Sequence, residues 1–350
     1  MPDRILNVLL TFALDDELVE QIRAVDPRID VRVLGQHARQ LFRGELRYPS
    51  ELEAQTARRE LADAMRTAEV LFGFWGNTLV EMYPNPQVLR EQAPSLRWVQ
   101  LTSAGVDRAA RSGLVGSEIM VTNASGVHAT PIGEYVLCVM LMFCKGAPAF
   151  VRAQERREWS RFMARELYGK TVGIVGYGHI GEGVAHLAKA FGCRIIATRR
   201  SVTQRTSTDL VDELLPAAAL PELLAQSDFV VLAVPLTKET RHMIGEAELR
   251  AMKPSGVLIN IARGAVVDTE ALIGALKEGV IAGAGLDVFE QEPLPPESEL
   301  WSLGNVIMSP HISGGTEIYN QRAVAIFCEN LRRYLAGEPL MNLVDAERGY

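Results

Sequence analysis

Three strand ends in the second half of the chain carry the side chains best suited to acid–base chemistry on a small molecule. An apolar run at residues 256–261 delivers Asn260 and then Arg263-Gly264. A second, at 281–286, delivers Asp287, Glu290 and Glu292, and a third, at 305–308, delivers His311 directly after Pro310. Each has a plainer reading when taken alone: a strand-end arginine is often a solvated ion-pair partner, and a histidine after proline can cap or pack. Ligands of open α/β sheets bind outside the carboxyl ends of the strands, so the three groups can converge on one crevice. An arginine, a carboxylate and a histidine meeting there are suited to binding an anionic group and moving a proton to or from a carbonyl oxygen.

A second set of marks lies upstream. Residues 172–181 read as a buried strand, a glycine turn and a helix start, with Gly176, Gly178 and Gly181 in the GxGxxG spacing. The first glycine permits a tight turn, the second lets backbone approach a pyrophosphate, and the third lets helix pack on strand. The pyrophosphate sits at the helix N-terminus, where unpaired N–H groups and the dipole favour negative charge. The spacing alone is weak, but a strand precedes it and a helical pattern to about Phe191 follows. Tyr177, His179 and Ile180 complete the turn.

The second strand of this half, 193–198, tests which dinucleotide fits. An NAD site calls for an acid about 20 residues beyond the glycines to hold the ribose hydroxyls. No acidic residue lies between Glu182 and Asp209, and the strand ends in Arg199-Arg200-Ser201. Guanidinium groups and a hydroxyl suit a 2′-phosphate, which a carboxylate would repel. The expected cofactor is therefore NADP, with NAD use possible if both arginines merely face water. Beside its nicotinamide, the arginine, carboxylate and histidine suit hydride transfer coupled to proton transfer.

Composition describes an ordinary globular chain: 350 residues, 48% hydrophobic and 23% charged, enough for two domains. A net charge of −7 argues against nucleic acid or an anionic membrane as partner. The four cysteines have no CxxC spacing and read as reduced core residues. His128, His179 and His242 lack metal-ligand spacing, so no metal is assigned. The apolar block 136–143 is too short to span a bilayer, and a cytoplasmic location is expected.

Strand-like runs near 5–11, 29–34, 69–74, 96–101 and 119–122 form one series, and those at 171–176, 193–198, 229–234, 256–261, 281–286 and 305–308 form another. Continuous apolar strands such as 229–234 fit parallel sheets covered on both faces. Each series can be its own doubly wound sheet. Residues 134–168 read as helical without a clear strand, a linker, arm or dimer surface. A last helix, about 316–336, ends at Gly337 as a C-cap.

In order and spacing these motifs resemble the D-isomer-specific 2-hydroxyacid dehydrogenase family. The glycine turn, residues 234–240, the Asn260–Asp268 run, the 286–295 run and the 309–314 run all match, and glyoxylate or hydroxypyruvate reductases are nearest in motif. The resemblance implies two α/β parallel-sheet domains: a flavodoxin-like substrate domain from 1–123 and 315–350, and a Rossmann coenzyme domain at 124–314. It also implies a homodimer formed through the coenzyme domain, which the apolar 136–143 helix would serve. By position, Arg263 binds the carboxylate of a small 2-keto or 2-hydroxy acid and polarises its C2 carbonyl. His311 is the general acid in reduction, and Glu292 holds the imidazole and favours its charged form. Formate dehydrogenases of this superfamily differ, with a glutamine at the Glu292 position.

The resemblance further places Thr130, Val234, Pro235, Thr240, Ile261, Ala262, Asp287 and Gly314 at the cofactor, Asp287 near the nicotinamide carboxamide; the plainer reading of Asp287 is a cap on N–H groups at its strand end, and the two roles are compatible. The loop at Ser103, Ala104 and Gly105 supplies backbone N–H groups to the substrate carboxylate, and Trp75 lines the pocket or packs under the hinge. Some members resemble dinucleotide-regulated scaffolds or corepressors without turnover. They keep the Arg, Glu and His trio, so the trio alone does not exclude that role.

Overall fold

A computed structural model describes residues 4–42, 50–73, 86–106, 109–110 and 113–345. The chain divides into two units, Met1–Val127 with Glu317–Tyr350, and His128–Thr316. The first crossing lies four residues beyond 123 and the second two beyond 314, because His128 already caps the next helix.

The first unit runs β1 (Leu6–Leu10), α1 (Asp16–Arg23), β2 (Ile29–Val33), α2 (Gln36–Phe42), α3 (Glu51–Thr67), β3 (Val70–Gly73), α4 (Pro86–Gln92), β4 (Trp98–Leu101) and β5 (Met120–Thr122). Its sheet is wholly parallel in the order β2-β1-β3-β4-β5, the flavodoxin-like winding. Both faces of the sheet are covered, so β3 and β4 are buried at every position instead of alternating. Ser50 starts α3 by accepting from the Glu53 N–H at 3.3 Å.

In the second unit, α5 (Ala129–Lys145) and α6 (Ala147–Glu155) precede β6 (Thr171–Val175), α7 (His179–Ala190), β7 (Arg194–Arg199) and β8 (Glu213–Pro216). Then come α8 (Leu220–Gln226), β9 (Phe229–Leu232), α9 (Glu246–Ala251), β10 (Val257–Asn260), α10 (Thr269–Lys277), β11 (Gly283–Leu286) and β12 (Val306–Met308). The parallel sheet has the order β12-β11-β10-β9-β6-β7-β8, a Rossmann winding with its switch point between β6 and β9. The chain then returns to the first unit as α11 (Tyr319–Ala336), which stacks Phe327 on Phe72 at 4.2 Å and ends at Gly337 with φ +71°.

Two readings need correction. The helical region does not extend to 168: Gly146, at φ +64°, separates α5 from α6, and residues 156–168 have no helix. Strand β8 was not expected from the sequence. It is short, and two of its four residues are only partly buried, so its apolar run is brief. No single helix among the described residues is long and apolar enough to cross a membrane, and α5 and α6 are bent by 67° from one another.

Candidate active site

The glycine turn has the geometry its spacing demands. Gly176 sits at φ +100°, where a Cβ would lie 2.6 Å from the Ala233 carbonyl oxygen. A Cβ on Gly181 would lie 2.5 Å from the Gly176 oxygen, so helix α7 packs directly on the turn. At Gly178 a Cβ would point into open space, and no side chain caps α7. That combination leaves room and helix-terminal donors for an anionic group, so the residues present fit a dinucleotide pyrophosphate. Gly176 and Tyr177 both donate to the Thr198 carbonyl, at 3.2 and 2.9 Å, tying the turn to β7. His179 is exposed and Ile180 half-buried beside it.

At the end of β7, Arg199, Arg200 and Ser201 are all exposed. The register pairs Arg199 with Pro216 and Ile196 with Glu213, three residues toward the other end of the strand. That is about 10 Å at strand rise. Glu213 binds Arg194 and Arg205 there, while Asp212 accepts from the Ile195 N–H at 2.8 Å and from Lys189 at 2.7 Å. The two acids of β8 and its approach are therefore committed away from the ribose position. Glu239, held below the usual carboxylate range chiefly by a hydrogen bond from the Thr237 hydroxyl, also feels the Arg200 charge.

The loop after β9 is closed on itself. The Thr240 hydroxyl donates to the Pro235 carbonyl at 2.6 Å and accepts from the Thr237 N–H at 2.7 Å. Its hydroxyl hydrogen is committed within the loop, so Thr240 shapes the segment that presents Val234 and Pro235.

Arginine 263 follows β10 on a turn that Asn260 builds. The Asn260 side chain, 1% exposed, accepts from the Ala262 N–H and donates to the Arg263 carbonyl, each at 3.1 Å. Ile261 and Ala262 are buried in that turn, and the Arg263 guanidinium donates to the Ala262 carbonyl at 2.8 Å.

Glu292 and His311 form a pair: Nδ1 of the imidazole lies 2.8 Å from Oε2 of the carboxylate. The other carboxylate oxygen accepts from the Phe289 N–H at 3.0 Å, which fixes its orientation. A carboxylate facing Nδ1 places a hydrogen there and leaves Nε2 as the working atom. His311 has φ +56°, left-handed backbone rarely adopted by a residue with a Cβ.

Asp287 holds that backbone. It is completely buried. One oxygen accepts from the Ser309 hydroxyl at 2.6 Å and the Ile312 N–H at 2.8 Å, the other from the Ser313 N–H at 3.0 Å. The Asp287 carbonyl also receives the His311 N–H at 2.9 Å. Since the single hydroxyl hydrogen of Ser309 goes to Asp287, the Tyr135 hydroxyl, 2.6 Å from Ser309, must be the donor of that pair. Burial raises the Tyr135 phenol above its ordinary value and keeps it a donor. Ser309 belongs to a matched motif, but its link to Tyr135 is a support that the motifs did not reveal. The Gly314 carbonyl accepts from His128 Nδ1 at 3.0 Å, at the start of α5, where Thr130 is exposed in the first turn.

In the first unit, the Ser103 hydroxyl donates to the Gly105 carbonyl at 2.8 Å. Ser103, Ala104 and Gly105 are half-buried. Trp75 lies outside the described residues.

The family model described as D-isomer specific 2-hydroxyacid dehydrogenase, NAD binding domain, matches residues 137–313. The chain belongs to this family. It is an NAD(P)-dependent oxidoreductase of small 2-keto and 2-hydroxy acids. A glyoxylate reductase from Thermococcus gammatolerans is 45% identical over 269 residues, covering 73% of this chain and 78% of that protein. A D-isomer specific 2-hydroxyacid dehydrogenase from Xanthobacter autotrophicus, solved with NADPH and MES, is 29% identical with TM-score 0.75 and covers 98% of this chain and 99% of its own. An NADPH-dependent glyoxylate/hydroxypyruvate reductase from Sinorhizobium meliloti, solved with NADP and sulfate, is 26% identical with TM-score 0.75. It covers 99% of this chain and 100% of its own.

Proposed function

We infer that the chain is a reductase of glyoxylate or hydroxypyruvate that prefers NADPH to NADH. The observation that carries the preference is the strand end at Arg199-Arg200-Ser201, exposed and with the β8 acids bound elsewhere. The named activities of the Thermococcus and Sinorhizobium relatives support the substrate class.

In this reading a bound nicotinamide supplies the hydride. Arg263 pairs with the substrate carboxylate and draws electron density from the C2 carbonyl. His311 protonates the carbonyl oxygen through Nε2 as the alcohol forms, and Glu292 stabilises the imidazolium required for that donation. Asp287 and Asn260 act one step back, by fixing the loops that carry these groups. Backbone N–H groups of Ser103, Ala104 and Gly105 are assigned to the same carboxylate by family resemblance.

A cytoplasmic location is part of the proposal, supported by four free cysteines, of which Cys144, Cys193 and Cys328 are buried. So is a homodimer. Leu137, Leu141 and Met142 of α5 line an apolar groove of about 400 Å³, and Trp159 and Met163 beyond α6 are more than 90% exposed. Sedimentation of the wild type and of Leu141→Asp checks this: a dimer that the substitution splits is expected, and a wild-type monomer contradicts it.

Initial rates of NADPH and NADH oxidation with glyoxylate, for wild type, Arg199→Ala and Arg200→Ala, test the main proposal. Each lost charge-assisted contact is worth about 1.5–3 kcal/mol, so KM for NADPH rises roughly ten- to hundredfold while NADH use is unchanged. Equal or better wild-type turnover with NADH contradicts the preference.

A further inference from the structure

A second histidine–glutamate pair is built on Glu290, two residues before Glu292, and nothing in the mechanism uses it. His242 Nε2 is 2.6 Å from Glu290 Oε1, and the other oxygen of Glu290 accepts from the Thr269 hydroxyl at 2.7 Å. The three residues sit on three different connections: His242 after β9, Thr269 at the start of α10 beyond β10, and Glu290 after β11. His242 is held at φ +51°, and its N–H donates to the Ala265 carbonyl at 2.8 Å. Ile244 continues that pairing with Val266 at 3.2 Å.

The backbone beneath the pair is in direct contact. A Cβ on Gly264 would lie 1.9 Å from the Phe289 carbonyl carbon and 2.2 Å from the Glu290 nitrogen. The turn that presents Arg263 is therefore pressed against the segment that leads to Glu292, and only a glycine allows that approach. Burial opposes ionisation of Glu290, but hydrogen bonds from Thr269 and His242 outweigh it and hold the carboxyl below its ordinary value.

We propose that Glu290 is a positioning residue, tied to His242 and Thr269, that clamps the segment bearing Glu292 onto the turn bearing Arg263. It sets the spacing between the substrate-binding guanidinium and the His311 acid. The proposal rests on the roles given above to Arg263 and His311. The orientation of Glu292 is fixed separately by the Phe289 N–H, so a loosened clamp displaces Arg263 more than it disturbs the acid pair. The kinetic signature is a rise in KM for the keto acid that exceeds the fall in kcat.

Steady-state kinetics with glyoxylate and NADPH, on wild type, Glu290→Ala, Glu290→Gln, His242→Ala, the double alanine variant and Arg263→Ala, decide the matter. NADPH titration by fluorescence and Tm are recorded for each. Glu290→Ala is expected to raise KM for glyoxylate about tenfold, less than the roughly hundredfold that an ångström-scale misplacement can cost. Its kcat changes less than its KM, and NADPH still binds. Glu290→Gln, which can still accept from Thr269 and donate to a neutral imidazole, recovers most of the loss. The double alanine variant is no worse than the worse single one, because the two side chains act as a unit. A Glu290→Ala enzyme with a lower Tm but unchanged KM would overturn the clamp and leave only a stabilising ion pair. If Arg263→Ala itself leaves turnover intact, the site assignment fails first and the clamp falls with it.

Discussion

Replacing Asp287 by asparagine separates a loop anchor from a cofactor contact. The carboxylate is completely buried and accepts three hydrogen bonds from the loop around His311. An asparagine oxygen can still serve Ser309 and Ile312, but its NH2 then faces the Ser313 N–H. One bond to a charged acceptor is lost, about 1.5–3 kcal/mol, and a buried donor is left without a partner, about 1–3 kcal/mol. Relief of the buried charge offsets part of this, leaving a net loss of about 3 kcal/mol. For a domain of this size that lowers Tm by roughly 6–12 °C. Because the displaced segment carries the general acid, kcat with glyoxylate falls about ten- to hundredfold. Thermal unfolding by circular dichroism, with kcat and the KM for NADPH measured in parallel, is the assay. An Asp287→Asn enzyme with wild-type Tm and kcat but a raised KM for NADPH would refute the anchoring argument and leave only contact with the nicotinamide.

Asn260→Leu removes both side-chain bonds that form the Arg263 turn and leaves the Ala262 N–H buried without a partner. A loss of about 2–3 kcal/mol, read as a Tm lowered by roughly 4–12 °C, is expected together with a raised KM for the keto acid. The acid limb of stability gives a second test through Glu290. Its folded value lies below the ordinary 4.5, so its contribution is fully present above that pH and lost as pH falls through the folded value. The Tm gap between wild type and Glu290→Gln therefore closes as pH drops well below 4.5, and a gap that stays constant argues against an ionised Glu290.

Much of this architecture was legible because glycine and apolar periodicity leave local marks. The run at 172–181 announced strand, turn and helix, and Gly176 and Gly181 each meet the steric demand their spacing implies. The strand ends leading to Arg263 and Glu292 were equally plain, since a fully buried strand that gives way to polar residues is visible in one dimension; the strand before His311 is only half-buried, and its end is marked by Ser309-Pro310 instead. What escaped was set by long-range contact. Nothing local says that Tyr135 reaches Ser309, 174 positions away, or that His242 meets Glu290 across 48. The left-handed backbone of His311 is imposed by Asp287 and is not a property of its own sequence neighbourhood. Residues 156–168 misled for the opposite reason. Their composition tolerates helix, but Gly146 ends α5 in left-handed backbone, α6 stops at Glu155, and Arg157 adopts φ +59° immediately after.

In the proposed function, Arg263 and the Glu292–His311 pair reduce a 2-keto acid at a nicotinamide held by the glycine turn. Single-turnover oxidation of prebound NADPH on mixing with glyoxylate, for wild type, Arg263→Ala and His311→Gln, is the experiment to run first. A rapid wild-type transient is expected. In His311→Gln the transient should slow by about 10²–10⁴, the range expected for loss of a general acid, with NADPH still bound. In Arg263→Ala it should no longer saturate with glyoxylate. A wild-type rate in the His311→Gln enzyme, at any glyoxylate concentration, would rule out the imidazole as the acid.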